Sequence, residues 1–336
     1  MLKQIALIAC DHGFGHTKRC YIYGMELAKR GILVSLFARE DGLEKFATIY
    51  GRSPNLQLIP FRTNSHPDNN QQQWTNWLVD LPNLEAYPIV VSDNLPEILE
   101  VRKDAVLSGS FLWHLDLPNI NGTYKAHCEN LLSKYQPLHL AADFFVSDEL
   151  RSKSQIVPLG LIGDLGLAKP KADFKTGALL ISGGRNSILK SQLTTFVKQF
   201  IDASTKPHFT KVWVDSSLLP ESYPDWMEFA PFNEEMYQSL SVAIIRPGVG
   251  TVTDCLRNQV FMMAVAEDSN LEMDTNIQAL EASFTGQGVD LKSLSAAKLE
   301  EYLAIEYPRF VQNAMPISFN GEQQFADTIQ NSLLKA

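Results

Sequence analysis

Apolar and polar positions follow two kinds of run along this chain. Short stretches dense in Val, Ile, Leu and Ala ("QIALIAC", "ILVSLFA", "NLQLIPF", "PIVVSD", "AVLSGSF", "LHLAADFFV") alternate with longer ones whose apolar residues recur at helical spacing. One of the longer runs, "TKRCYIYGMELAKRG", closes on Gly31, the residue type expected just past a helix C-terminus. Apolar runs of strand length separated by amphipathic helices predict βαβ units and a parallel sheet covered on both faces. The pattern restarts near Gly177 with "GALLISGG", then "FTKVWVD", "MEFAPF", "SVAIIRPG" and "VFMMAVAE". Between the two series, "VPLGLIGDLGLAKPKADFKTG" is rich in Gly, Pro and Lys and lacks periodicity, which places a boundary around residues 164 to 176. The expected architecture is α/β, with two Rossmann-like parallel-sheet domains over residues 1–164 and 177–320. Residues 321–336 are read as a helix that packs back on the first domain. The polar stretch "RTNSHPDNNQQQWTN" predicts an exposed loop leading into a helix with Trp74 and Trp77.

A chain of 336 residues, 45% of them hydrophobic, is long enough for two ordinary cores. The net charge of -9 argues against nucleic acid as the main partner, because counterion release needs clustered Lys and Arg. No apolar stretch reaches membrane-spanning length and no N-terminal signal pattern is present, so a cytoplasmic location is expected, with nothing to indicate peripheral membrane contact. Cys10, Cys20, Cys128 and Cys255 form no C-x-x-C pair, which predicts buried reduced thiols.

Two Gly-rich turns carry the chemistry. "GFGH" follows the strand "IALIAC", and "RPGVGTVTD" follows "SVAII" and opens a helix. In doubly wound sheets ligands bind at such carboxyl ends of strands, and the exposed amides of the following helix favour an anion. Neither turn completes G-x-G-x-x-G, since Thr17 and Lys18 follow Gly13 and Gly15, and no G-K-[ST] occurs, which counts against a nicotinamide enzyme and a P-loop. At the second turn, Gly248, Gly250 and the Thr251 hydroxyl can meet a phosphate while Asp254, one turn on, can accept from ribose hydroxyls; together they suit a nucleoside diphosphate. Thr251 as a helix cap and Asp254 as a favourable first-turn charge are compatible readings. In "AEDSNLEMDTNIQALEASFTGQG", Glu272, Asp274 and Asn276 are candidates for sugar hydroxyls, against the alternative of a solvated acidic loop.

With these residues in place the chain resembles, over nearly its whole length, the GT-B glycosyltransferase superfamily. The stretch "FAPFNEEMYQSLSVAIIRPGVGTVTDCLRNQVFMMAV" looks like the donor-site signature of those enzymes, which usually has Glu where this chain has Asp254. "HGFGHTKR" is similar to a G-x-G-H-x-x-R loop found in a branch that includes the UDP-sugar hydrolase of pseudaminic acid biosynthesis and the N-terminal region of plant arabinokinases. "VVSDNLPEILEVRKDAVLSGSFLW" and "LLISGG" also look like that branch. The resemblance implies two Rossmann-like domains across a cleft, with a nucleotide sugar, UDP-linked by expectation, as co-substrate and no other cofactor. It implies that Gly248, Gly250 and Thr251 touch the diphosphate and Asp254 the ribose.

Transfer from such a donor needs a base for the incoming hydroxyl and positive or dipolar stabilisation of the departing diphosphate. His16 is the candidate base and Asp93, ending another strand of the same sheet, the carboxylate that orients it. Asp11 is a second candidate base; nothing fixes the direction of His12. Arg19, one turn into the same helix, is expected near the entrance to aid an anion, or to form a surface ion pair. Gly183, Gly184 and Arg185 after "ALLIS" are candidates for amides and a cation toward the diphosphate, while Ser187 can cap the next helix. Phe111, Trp113 and His114 could stack on an acceptor, although aromatic stripes more often belong to the core. No Asp-x-Asp pair occurs, so no metal is expected. The acceptor, whether glycan, lipid or small molecule, stays open. So does the choice between transfer, hydrolysis of the same donor, and nucleotide-sugar binding without catalysis.

Overall fold

The computed structural model describes residues 4–11, 14–63, 74–116, 120–163, 169–184, 189–202, 208–267 and 270–335. The chain divides into two compact units, one formed by Met1–Gly163 with Ser318–Ala336, the other by Asp164–Ile317.

The first unit is built on seven parallel strands: β1 (Gln4–Ala9), β2 (Leu33–Ala38), β3 (Leu56–Pro60), β4 (Ile89–Asp93), β5 (Val106–Ser108), β6 (Leu138–Ala142) and β7 (Gln155–Leu159), in the order β3-β2-β1-β4-β5-β6-β7. Strand β1 shows why its sequence is apolar without interruption. Ile5, Leu7 and Ala9 enter the core on one face while Ala6, Ile8 and Cys10 enter the core on the other, as a strand buried between two helical layers requires. The helix Gly15–Lys29 buries Cys20, Tyr23, Leu27 and Ala28 against the first of these faces, and Gly31, at φ 77°, turns the chain out of it.

The helix Gly321–Lys335 belongs to this same unit. Phe325, fully buried, stacks on Tyr23 with ring centroids 3.9 Å apart and planes 3° from parallel, and Arg30, just past the end of the first helix, pairs with Asp327. Close backbone approach anchors the returning segment: the Gly321 amide donates to the Leu161 carbonyl at 2.9 Å, and a Cβ on Gly321 would sit 2.2 Å from the Gly160 oxygen.

The second unit has six parallel strands, β8 (Ala178–Ser182), β9 (Val212–Val214), β10 (Met227–Phe229), β11 (Leu240–Ile245), β12 (Phe261–Val265) and β13 (Gly286–Val289), in the order β10-β9-β8-β11-β12-β13. Leu299, Leu303, Tyr307 and Phe310 of the helix Ala296–Asn313 close one side of its core at helical spacing.

The strands expected from the apolar runs form, with differences at their ends. "AVLSGSF" gives only Val106–Ser108, because Gly109 at φ 118° leads the chain away, and "LHLAADFFV" stops as a strand at Ala142. Strands β7 and β13 were not expected. Each lies at a sheet edge, one carrying Pro158 and the other two glycines, so neither has the continuous apolar signature of a central strand. Of the expected polar loop, residues 64–73 lie outside the described residues; Trp77 is buried in a short 3-10 turn and Trp74 packs edge-on to Tyr124.

Both sheets reverse strand order at one place, between β1 and β4 in the first and between β8 and β11 in the second, and the two Gly-rich turns leave the carboxyl ends of strands there. The packing of the last helix yields a stability prediction. Phe325→Ala removes a fully buried ring and is expected to cost about 3–5 kcal/mol, read as a lower urea midpoint for unfolding of the full chain.

Candidate functional site

In the first unit the site is assembled around one carboxylate. Asp93 ends β4, in register with Ala9 of β1 on one side and Ser108 of β5 on the other, and has no solvent exposure. Asn94, held at φ 62° with its amide bonded to the Ser108 carbonyl at 2.9 Å, turns the chain away directly afterwards. The helix Gly15–Lys29 brings His16 and Arg19 to Asp93 because residues three apart share a helical face. The spacing of the G-H-x-x-R stretch is thus a geometric requirement for two side chains to reach the same acid.

Four donors meet that carboxylate. His16 Nδ1 lies 2.6 Å from Oδ1, Arg19 Nη2 donates to Oδ1 at 2.8 Å, Arg19 Nε donates to Oδ2 at 2.7 Å, and the Ser108 hydroxyl donates to Oδ2 at 2.9 Å. Burial alone would raise the Asp93 carboxyl, but the Arg19 charge and the bonds from His16 and Arg19 outweigh it and hold the acid well below the usual carboxylate range. Burial likewise opposes the Arg19 charge, and Asp93 overrides it.

A supporting layer lies behind. Burial pushes His139 down to about 4, so it is neutral, and its Nε2–H donates to the Gly109 carbonyl at 2.7 Å. Gly109 comes close to Arg19: a Cβ there would stand 3.4 Å from Nη2 in a backbone conformation that side chains rarely adopt. Phe111 meets the His16 ring edge-on, with centroids 6.0 Å apart, and belongs to the core cluster. His114 is buried beside Tyr124 and pushed down to about 3 by that burial. Asp11 accepts from the Thr63 hydroxyl at 2.7 Å through Oδ1 and from Arg39 through its carbonyl. Gly15 opens the helix with open space where a Cβ would stand. His12, Gly13 and the Trp113 side chain lie outside the described residues.

The second unit builds a different centre at its own point of strand reversal. β8 runs into Gly183 and Gly184, the latter at φ 71°, where its amide meets the Ser182 hydroxyl at 3.4 Å. β11 runs into Arg246, Pro247 and Gly248, and Gly248 caps the helix Val249–Arg257 without any side-chain cap. Gly250 and Thr251 therefore lie in the first helical turn rather than before it, and no atom lies within 4 Å of where a Gly250 Cβ would stand. Asp254 follows one turn on, its carbonyl accepting from the Asn258 amide side chain at 3.0 Å. Its charge adds to burial in raising the Tyr237 phenol.

Arg246 was not singled out by the sequence. Its Nε and Nη2 bind the two oxygens of buried Glu267 at 2.6 and 3.1 Å, and Asn270 donates to the same carboxylate at 2.8 Å. A Cβ on Gly248 would lie 3.5 Å from the remaining terminal nitrogen, so Arg246 stands beside the helix start. The signal that could have found the pair is topological: both residues leave the carboxyl ends of neighbouring strands, β11 and β12. Asn276, expected to meet a sugar hydroxyl, is buried and donates to the Pro247 carbonyl at 2.7 Å, which makes it a support of the turn. Glu272 and Asp274 lie in the first turn of the helix Leu271–Ala282. Arg185 and Ser187 lie outside the described residues.

Arg19 is the clearest departure from expectation. Instead of standing open at an entrance or in a surface ion pair, it is mostly covered and forms a forked ion pair with buried Asp93. Among the described residues, no cluster of three or more His, Cys, Asp or Glu is placed to hold a metal ion, and no helix is long and apolar enough to cross a membrane.

Residues 188–331 match the family model of the glycosyltransferase family 28 C-terminal domain, and no curated protein matches the chain. Among solved structures, the chain is similar to LpCGTa in complex with UDP, at 12% identity and TM-score 0.68, covering 99% of each chain. It is similar to CalG4, the calicheamicin glycosyltransferase, at 16% identity and TM-score 0.63 over the whole of both chains. A third is Arabidopsis thaliana UGT89C1 complexed with UDP-L-rhamnose, at 11% identity and TM-score 0.62, covering 98% of this chain and 94% of that one. The fold is GT-B, two α/β units each on a parallel sheet.

The clamped carboxylate has a measurable signature. Asp93→Asn leaves Arg19 buried beside a neutral amide and is expected to cost about 3–5 kcal/mol at neutral pH. Because the acid is depressed in the folded state, its contribution is complete above the ordinary carboxylate value, about 3.9, and drains away as pH falls below it. The stability gap between wild type and the variant, measured by urea unfolding from about pH 6 to pH 3, is expected to narrow toward the acid end.

Proposed function

We propose that this chain, a GT-B glycosyltransferase-like protein, transfers a sugar from a nucleoside diphosphate sugar to a hydroxyl acceptor. The observation that carries the reading is the His16–Asp93 couple at the reversal point of the first sheet, in a chain whose residues 188–331 match a glycosyltransferase domain. With Nδ1–H donated to Asp93, the proton-accepting nitrogen of His16 is Nε2. That nitrogen takes the acceptor's proton as the acceptor oxygen bonds to the anomeric carbon and the bond to the diphosphate breaks. Asp93 holds the ring in this tautomer and offsets the charge it gains.

The diphosphate is received by the second unit. The amides at Gly250 and Thr251, uncapped by any side chain, and the dipole of the helix Val249–Arg257 favour an anion, and Arg246 adds a cation already oriented by Glu267. This supply of positive charge supports a reaction that needs no metal ion. Asp254 takes the ribose hydroxyls. Two structural neighbours hold UDP or UDP-L-rhamnose, which supports a uridine nucleotide as the donor carrier.

A thermal-shift screen of nucleotide sugars identifies the donor, since a ligand bound only by the folded state raises the melting temperature. Asp254→Ala and Arg246→Met are each expected to weaken UDP binding at least about tenfold by calorimetry, one lost charge-assisted hydrogen bond being worth about 1.5–3 kcal/mol. Uridine affinity is expected to fall in Asp254→Ala and hold in Arg246→Met. Undiminished UDP affinity in both variants overturns the donor site. His16→Ala is expected to cut turnover far more than donor affinity, with wild-type turnover unchanged by EDTA; rapid release of free sugar without acceptor overturns the transferase reading in favour of hydrolysis.

A further inference from the structure

A histidine oriented by one carboxylate is held only as firmly as that carboxylate itself is. Arg19 spans both Asp93 oxygens, Ser108 takes a further lone pair, and Arg19 Nη2 stands 3.3 Å from the same ring nitrogen that faces Asp93. Among the described residues, Arg19, Cys20 and Tyr23 of the cluster come from the helix of His16, Asp93 from β4, Ser108 from β5 and Phe111 from the loop after β5; His139 of β6 reaches the cluster through the Gly109 carbonyl. Of these, Arg19 and Asp93 are ionised, Cys20 and Tyr23 are pushed up by burial and keep their protons, and His139 is neutral.

A surface ion pair would not need such construction. The carboxylate is buried and the arginine side chain only 12% exposed, and Gly109 leaves room for the approach. The fork fixes the carboxylate plane, so Oδ1 stays aimed at Nδ1 and the ring is confined to one tautomer.

We propose that Arg19 is a positioning residue for His16: its fork pins the Asp93 carboxylate so that Nε2 is the proton-accepting nitrogen. The inference rests on His16 serving as the base. The proton moves from the acceptor hydroxyl to Nε2 as the new C–O bond forms and the bond to the diphosphate breaks, and it then passes to water, which returns the ring to neutrality. Arg19 acts through Asp93 and touches neither substrate.

The first test needs no donor. In nitrogen NMR of the full chain, with the His16 signals assigned by their loss in His16→Gln, the neutral ring of wild type is expected to carry its proton on Nδ1 and not on Nε2. In Arg19→Gln, and in Arg19→Lys, which keeps the charge but not the fork, the two neutral tautomers are expected to mix. An undiminished share of the Nδ1–H tautomer in either folded variant overturns the role of the fork. Should the glutamine variant fail to fold, the lysine variant decides alone.

The second test uses whichever nucleotide sugar the screen identifies. In Arg19→Gln and Arg19→Lys kcat is expected to fall with donor KM unchanged; a loss confined to KM overturns the proposal. If no nucleotide sugar binds wild type, the functional reading fails, while the NMR outcome still judges the positioning of His16 by itself.

Discussion

A carboxylate with no access to water organises the first unit. Removing an ion from solvent costs several kcal/mol unless partners replace the lost hydration, and Asp93, at the end of β4, has its partners from two other pieces of chain, the helix Gly15–Lys29 and β5. Those pieces meet only where the strand order reverses. The acid therefore acts as a fastener for the topology and as the partner of the one histidine at the helix start. Loss of any donor leaves charge or polarity stranded in the interior, which is why the Gly109 carbonyl is itself held by His139.

The second unit repeats the idea with a more open cation. Glu267 is buried and the Arg246 side chain it grips is 25% exposed, whereas Arg19 beside buried Asp93 keeps only 12%. A buried acid beneath a partly exposed cation presents positive charge outward. An enclosed acid and its cation instead hold an imidazole in one orientation. The two reversal points thus share a construction and diverge in what they offer a ligand.

Much of this could be read from the residues, and what could not has physical causes. Central strands such as β1 and β11 are buried on both faces, so their apolar runs are continuous and unmistakable; β7 and β13 sit at edges, where Pro158 and the glycines of "GQGV" erase the signal. His16 and Asp93 were legible because a Gly-x-Gly turn and a strand-ending acid each declare their place. The destination of Arg19 was not, since helical spacing gives its face but not whether that face meets solvent or a buried acid. Asn276 illustrates the same limit. A polar side chain near a ligand turn can equally serve the turn's own backbone, and only the observed bond to Pro247 decides. Arg246 and Glu267 are 21 residues apart and pair through adjacency of β11 and β12, information that local sequence does not carry.

The stacking of Phe325 on Tyr23 bears on how the protein is made. Residues 318–335 leave the ribosome after the whole of the second unit, so the unit that begins first is finished last. Until then the nascent helix Gly15–Lys29 displays an uncovered apolar stripe through Tyr23 and Leu27, the kind of surface that holds a growing chain to chaperones, while residues 164–317 already possess every strand and helix of their own core. Translation order and completion order run opposite ways.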